Sequence, residues 1–432
     1  MDILKQLQAQ AEQVEVVKIQ SESTTVEYEA NQLKTSKVEQ TQGMAVRVVR
    51  KGRLGFAASS DEQAMDRLVA NALESAAYGD EIPLQFPAPK PPPAVKTYDP
   101  KIAEFPIPRL VEIGQEILDI LLPIEPEARI NLSLNRGVSI LTLRNQAGAE
   151  INFQRSPLSI SVELSSVKED DILILYDMTG TTIWEDDYLA FVHRLGEKLK
   201  LAKKLTTIRS GHMPVLFSPS GAVVLGLPLM VGLDGKNVFT GISPLIGKVG
   251  ETLFDPKVTL VDDGTLDGKF GSAPYDDEGV VHRRNALVEK GILKSFYYDL
   301  KTALQSGVES TGNGSRGLFN PPSPSVSNLL IEPGQTPLAE VIASIDEGLL
   351  VEDVLGLGQG NILSGAFSNP LGLAFKIEKG EIIGRVKNAS IAGNVYELLK
   401  DVAAISRETQ WVFNNFNLPY VLLSDMNVVA KV

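Results

Sequence analysis

Few residues in this chain are equipped for chemistry. Its 432 residues include three histidines and no cysteine. His193, His212 and His282 never fall four apart, so no helix presents two imidazoles to a zinc ion. His193 lies in YLAFVHRLGEKLKLAKKL beside the apolar positions Leu195 and Leu199, and reads as a surface or boundary residue. His212 lies in the loop SGHMP, where a turn role is expected. His282 abuts Arg283 and Arg284, which disfavour a bound cation. Without cysteine there is no thiolate catalysis, no sulfur ligation and no disulfide. No G-x-S-x-G elbow is present, although a Ser-His-Asp site assembled only in three dimensions stays open.

Carboxylates are the other resource. Asp262-Asp263 in VDDGT and Asp276-Asp277-Glu278, closed by Gly279, are candidates for a hard cation. The alternative is a turn role in surface hairpins, with each carboxylate bonding nearby backbone N–H groups. The turn role is the expectation for Asp262 and Asp263; for Asp276 to Glu278 both readings stand. Two glycine motifs complete the set. Gly312-Asn313-Gly314-Ser315-Arg316-Gly317 matches G-x-G-x-x-G, but Pro321-Pro322 forbids the helix that a dinucleotide site requires. Gly356-Leu357-Gly358-Gln359-Gly360 lacks the G-K-[ST] ending of a phosphate loop. Both are expected to be tight loops where the backbone approaches a partner strand or a peptide.

The acidic cluster and the first glycine motif bracket one stretch, Gly271 to Arg316. A hairpin is predicted within it: Asn285 to Val288 out, Lys290-Gly291 as the turn, Ile292 to Tyr298 back. A short helix, Asp299 to Gln305, and the turn Ser310-Thr311-Gly312-Asn313-Gly314 follow. Upstream, residues 2–13 read as a helix with Ile3, Leu4 and Leu7 on one face. Four strands are predicted next: Val14–Ile19, Thr24–Ala30, Lys34–Gln40 and Met44–Lys51. A helix capped by Asp61 then buries Leu68, Ala72 and Leu73. Residues 82–108 are crowded with prolines, including Pro91-Pro92-Pro93, and are predicted to be an extended surface connector with no core of its own. Residues 109–206 repeat the first layout, with strands at Asn131–Leu134, Val138–Asn145, Glu150–Gln154, Leu158–Ser166 and Asp170–Tyr176 between two helices. Beyond residue 206, glycine-punctuated apolar runs indicate one β-rich domain. The expected fold class is α+β: modules at 1–81 and 109–206, the connector 82–108, and a large domain at 207–432.

The phrases DDEGV, VEKGIL and STGNG, in that order, resemble the TldD/PmbA family, peptidase subunits once named modulators of DNA gyrase. The segment GMAVRVVRKGRLGFAASSD is similar to the family's N-terminal segment. The resemblance implies subunits that pair, TldD with TldE, as a zinc metalloprotease acting on unfolded or modified peptides. Its catalytic type carries HExxxH in a helix behind the first core strand of the C-terminal domain, and a cysteine ligand near the C-terminus. Here that strand is HMPVLFSP, and the following SGAVVLGLPLMVGLDG holds no His and no Glu. The chain therefore resembles the PmbA type, also called TldE: no catalytic residue and no metal ligand are assigned, and zinc is expected only on a TldD-like partner. The implied partners are an HExxxH-bearing subunit or a second copy of this chain, with an extended peptide as substrate. Asp276, Asp277, Glu278, Gly279, Thr311, Gly312, Asn313 and Gly314 are the candidates for a peptide groove or interface. A homodimeric, non-proteolytic binding or scaffold protein is the alternative.

The formal charge of −13, with basic runs no longer than Arg283-Arg284 or Lys203-Lys204, argues against direct DNA binding. No apolar run is long enough to cross a membrane and the polar N-terminal helix is not a signal sequence, so the cytoplasm is the expected compartment. Met213 to Met230 carries no ionised side chain. It is expected to be buried either in a core or against a second subunit, which motivates an oligomer through the C-terminal domain.

Overall fold

A computed structural model describes residues 3–61, 63–169 and 171–430. The helix start expected at Asp2, the strand start at Asp170 and the extreme C-terminus lie outside these residues.

The protein is α+β, and its N-terminal part is one antiparallel sheet. The strands are β1 (Gln13–Glu29), β2 (Gln32–Arg50), β3 (Arg53–Ser59), β4 (Arg129–Asn145), β5 (Glu150–Arg155), β6 (Leu158–Lys168) and β7 (Asp171–Thr181). Their order is β3-β2-β1-β4-β6-β7, with β5 pairing β4. The units at 1–81 and 109–206 are thus two halves of a shared sheet, joined where β1 runs beside β4 from Glu15–Asn145 to Tyr28–Leu132. The segments predicted as four short strands are two long ones. The polar stretch between their apolar ends did not break them, because Gln20 to Thr25 still finds ladder partners on both β2 and β4.

Helices cover the sheet by ordinary periodicity. α1 (Ile3–Gln8) and α2 (Met65–Ser75) bury Leu4, Leu7, Leu68 and Ala72 against Val46 and Val48. Asp61 does not cap α2; its carboxylate accepts from Gln63 N, one turn earlier. After the short α3 (Pro100–Ala103) comes α4 (Ile107–Leu121). There Leu110, Ile113, Ile117, Leu118 and Leu121 form an i, i+3, i+7, i+8, i+11 stripe over Val26 and Leu132. With α5 (Ala190–Ala202), α4 shares a core with Leu350, Phe375 and Leu422 of the C-terminal domain.

The connector 82–108 is extended only as far as residue 99, where α3 and then the first turn of α4 replace the expected extended chain, and it does contribute a core. Ile82, Leu84 and Phe86 are buried with Val49, and Ile102 and Phe105 join the α4 cluster. Apolar residues alternating with prolines kept enough surface to bury.

The C-terminal domain is built on a twelve-stranded sheet. Its central strands are Leu260–Asp263, Leu329–Ile331, Phe416–Ala430, Gly211–Phe217, Glu347–Val354 and Ala366–Glu378. Val395–Leu398 is a single helical turn, and Val402–Val412 is a strand. In the predicted hairpin the turn is as expected, with Lys290 and Gly291 both at positive φ. The return strand is only Ile292–Leu293; Phe296, Tyr297 and Tyr298 leave the ladder and enter the core. Behind the strand Gly211–Phe217, α6 (Val223–Gly232) runs through Pro228. Its Leu225 and Leu229 are fully buried within this chain. The apolar run Met213–Met230 is therefore mainly intramolecular core, and the inference of a subunit interface drawn from it is corrected.

Candidate functional site

Strands β1 and β2 carry Glu15 and Arg47 to a point that the C-terminal domain reaches through its DDEG turn. Arg47 donates through Nε and Nη2 to the two oxygens of Glu15, at 2.8 and 2.7 Å. Its Nη1 donates to Glu278 Oε1 at 2.5 Å. Arg316 Nη2 donates to Glu15 Oε1 at 2.7 Å. Glu15 and Glu278 are completely buried, so two cations and two anions neutralise one another without water. The two arginines hold the Glu15 carboxyl below its usual range against the opposing effect of burial. The Arg47 guanidinium also lies over the Phe86 ring, 5.0 Å from its centroid.

Around this quartet the two sequence motifs interlock. Asp276 Oδ1 accepts from Glu278 N and Val280 N, at 2.9 and 2.8 Å, and its Oδ2 accepts from Gly314 N at 2.9 Å. Asp277 Oδ2 accepts from Arg316 N at 2.9 Å. Glu278 Oε2 accepts from Leu300 N at 2.7 Å, at the start of the helix Leu300–Ser306. A Cβ on Gly314 would stand 2.3 Å from that carboxylate, so the chain can pass only as glycine. Thr311 Oγ1 donates to Asn313 Oδ1 at 2.7 Å, and Asn313 Nδ2 donates to Asp262 Oδ2 at 2.6 Å. Gly279 and Gly312 sit at positive φ in the two turns. All eight candidates, Asp276 to Gly279 and Thr311 to Gly314, are thus in one assembly.

The expectation for Asp262 and Asp263 is corrected: both are buried, not surface turn residues. Asp262 Oδ1 accepts from Ser327 N at 2.6 Å, and burial pushes the Asp262 carboxyl up to about 7. Burial and the neighbouring Glu278 charge also hold Asp276 well above the ordinary carboxylate range. The oxygens of Asp276 and Glu278 face N–H and guanidinium donors, which is an arrangement for fixing two turns rather than for ligating a cation.

Beside the assembly lies a cleft of about 360 Å3 between the N-terminal sheet and the C-terminal domain. Asp276, Asp277, Asn313 and Gly314 line it, with Arg155 and His282. His282 is buried and pushed down to about 4 by desolvation. Its Nδ1 faces the Gly264 carbonyl at 3.4 Å rather than a hydroxyl or carboxylate, which gives a serine-histidine mechanism no footing here. His193 is exposed on α5, as expected. His212 opens the strand Gly211–Phe217 and faces Asp425 at 3.0 Å. The second glycine motif is a loop with Gly356, Gly358 and Gly360 at positive φ.

Sequence reasoning missed Glu15, Arg47, Arg155 and Arg316. For Arg47 there was a signal: it shares a strand face with Ala45 and Val49, and a charge on an apolar face implies a buried partner. The others carried none.

α6 is the helix behind the strand Gly211–Phe217, where the resemblance directs the search for HExxxH. Val223, Val224, Leu225 and Leu229 are packed into the core there, and these residues do not fit a zinc ion. No helix among the described residues is long and apolar enough to cross a membrane.

Comparison with known proteins agrees with the residues that first suggested a family. The PmbA/TldA metallopeptidase C-terminal domain matches residues 210–430, and PmbA/TldA metallopeptidase domain 1 matches residues 14–76. An uncharacterised protein of Methanocaldococcus jannaschii is 26% identical over 399 residues, 91% of each chain. The metalloprotease TldD homolog of Haemophilus influenzae is 34% identical over 203 residues, covering 46% of this chain and 42% of that protein. The crystal structure of TldE from Thermococcus kodakarensis shares the fold, with a TM-score of 0.90 at 24% identity over 99% of both chains. With two family domains matched, one of them spanning half its length, the chain belongs to the TldD/PmbA metallopeptidase family.

Proposed function

We propose that this chain is the subunit without a metal in a TldD–TldE-type zinc metalloprotease of the cytoplasm, and that it completes the chamber in which an extended peptide is held. One observation carries the reading. The helix in the position of the family's HExxxH is apolar, carries Pro228 within it, and spends its side chains on core packing. A second feature supports the peptide. β7 is an outer strand of the N-terminal sheet, and Ile172, Ile174 and Tyr176 stand exposed along one face of it. An extended peptide adding there gains main-chain hydrogen bonds and apolar contacts together. Neither feature requires a nucleophile or base in this chain.

The test is reconstitution. The purified chain is expected to hold no stoichiometric zinc after dialysis and to cleave no unfolded peptide alone. Mixed with an HExxxH-bearing relative from the same genome, it is expected to form a complex and raise peptide cleavage above that of the relative alone. Cleavage by this chain alone, or failure to associate with any such relative, overturns the proposal.

A further inference from the structure

The cleft beside the acidic turn contains a cation with no ion-pair partner among the described residues. Arg155 ends β5, and its side chain lines the cleft. It donates one hydrogen bond to the Phe270 carbonyl, and its Nε is buried without a partner. No carboxylate among the described residues lies within salt-bridge distance of it. Asp277 is near enough to act on it electrostatically but spends Oδ2 on Arg316 N. Burial lowers the Arg155 pKa, the direction expected for a guanidinium withdrawn from water and left unpaired. This contrasts with Arg47 and Arg316, each of which meets a buried carboxylate a few ångströms away. Arg155 is half-buried as a residue, and a guanidinium drawn from water without an ion-pair partner is costly unless something else completes it.

The rest of the cleft indicates what that something is. Its walls include Leu141, Phe153, Tyr275 and Val326, half-buried apolar side chains next to the guanidinium. The ring of Phe270, whose carbonyl takes the Arg155 bond, packs against Gly180 near the end of β7. The exposed outer strand therefore leads toward the cleft.

We propose that Arg155 binds a carboxylate of the peptide ligand, with the apolar walls taking the side chain next to that carboxylate. This rests on the peptide-binding reading above and adds a chemical class to it. The carboxylate comes either from the peptide C-terminus or from an acidic side chain. Arg155 is a binding residue here, with no part in bond breaking. A guanidinium offers two parallel N–H donors to a carboxylate, which a neutral amide cannot exploit in the same way.

The experiment uses the full chain and short apolar Ala/Leu peptides with a fluorescein at the N-terminus, read by anisotropy. Three forms are compared: free acid, C-terminal amide, and amide with one internal Glu. The free acid, the Glu-containing amide, or both are expected to bind about tenfold or more tighter than the plain amide. Whichever is favoured identifies the source. Arg155→Gln is expected to abolish the preference while leaving the affinity for the plain amide unchanged, and Arg155→Lys to restore part of it. The unchanged amide affinity separates a lost ionic contact from a misfolded cleft. Equal binding of all three forms to the wild-type chain overturns the carboxylate site and leaves peptide binding standing. A preference that survives in Arg155→Gln also overturns it. Binding of none of the peptides overturns both readings.

Discussion

Replacing Glu278 with glutamine tests whether the buried quartet ties the N-terminal sheet to the C-terminal domain. Glu15, Arg47, Glu278 and Arg316 carry two charges of each sign, so Glu278→Gln leaves one uncompensated positive charge where no water reaches. Breaking a buried ion pair from one side costs about 3–5 kcal/mol. Arg47 keeps both bonds to Glu15, and a glutamine carbonyl still accepts from Leu300 N, so the lower end applies: about 3 kcal/mol. Part of the loss is offset because Asp276, no longer beside an anion, ionises more easily. Glu15→Gln should cost more, since Glu15 serves two arginines. The double variant Arg47→Met/Glu278→Leu removes both charges at that contact and should be less destabilised than the sum of its single changes. The assay is urea unfolding at neutral pH, followed by circular dichroism and tryptophan fluorescence. A loss under about 1 kcal/mol for Glu278→Gln, or strict additivity in the double variant, would refute the reasoning.

Three further outcomes are expected. Gly291→Val and Gly380→Val should each cost roughly 1–3 kcal/mol or more. Both glycines sit at positive φ, and a Cβ would stand 2.2 Å from the Phe254 carbonyl oxygen and 2.9 Å from Ala343 Cα, so unchanged thermal unfolding contradicts the hairpin turns. Leu229→Asp should unfold the C-terminal domain rather than dissociate an oligomer, because Leu229 is core; a folded monomer by sedimentation and circular dichroism is the contrary result. The third concerns pH. Asp262 titrates at about 7 when folded, above its ordinary 3.8, so its contribution to stability is greatest below about 4 and is lost as pH rises to 7. His282 runs the other way: depressed to about 4, it makes stability rise with pH between 4 and 6.5. Asp262→Asn removes only the falling limb, so its penalty in urea midpoint should be smaller at pH 8 than at pH 5. An equal or larger penalty at pH 8 would contradict the assignment.

Local chemistry was legible in the sequence. The Lys290-Gly291 turn follows from spacing and residue type, and the grouping of DDEG with the STGNG turn from the resemblance to a family. What was hidden depended on tertiary contact. Arg47 and Glu278 are 231 positions apart, and their meeting is set by the placing of one domain against another, which no local pattern encodes. The same holds for Asp262: VDDGT reads as a surface turn until Asn313 and Ser327 close over it. The connector misled in the opposite direction. Proline content predicted an extended backbone, which holds for residues 82–99 but not for α3, and burial depends on the residues between the prolines: Ile82, Leu84 and Phe86 are large and apolar.

The apolar character of α6 bears on where this chain can act. A metal-binding helix must turn polar side chains into a cavity and accept the cost of leaving that space unfilled by core. Here Val223, Val224, Leu225 and Leu229 fill it, and changing one or two of them to His or Glu would bury an unpaired polar group rather than create a site. On the proposed function, what this chain contributes to peptide handling falls to its accessible features. Two stand out: the outer strand β7 with its exposed apolar face, and the cleft where Arg155 has no ion-pair partner among the described residues. The quartet of Glu15, Arg47, Glu278 and Arg316 fixes the relation between them, because it joins the sheet that ends in β7 to the turns that line the cleft. Loosening the quartet should then weaken peptide binding even though none of its members needs to touch the peptide. That separates a positioning role from a contact role: in Glu278→Gln, affinity for acid and amide peptides should fall together, whereas in Arg155→Gln only the carboxylate preference should go.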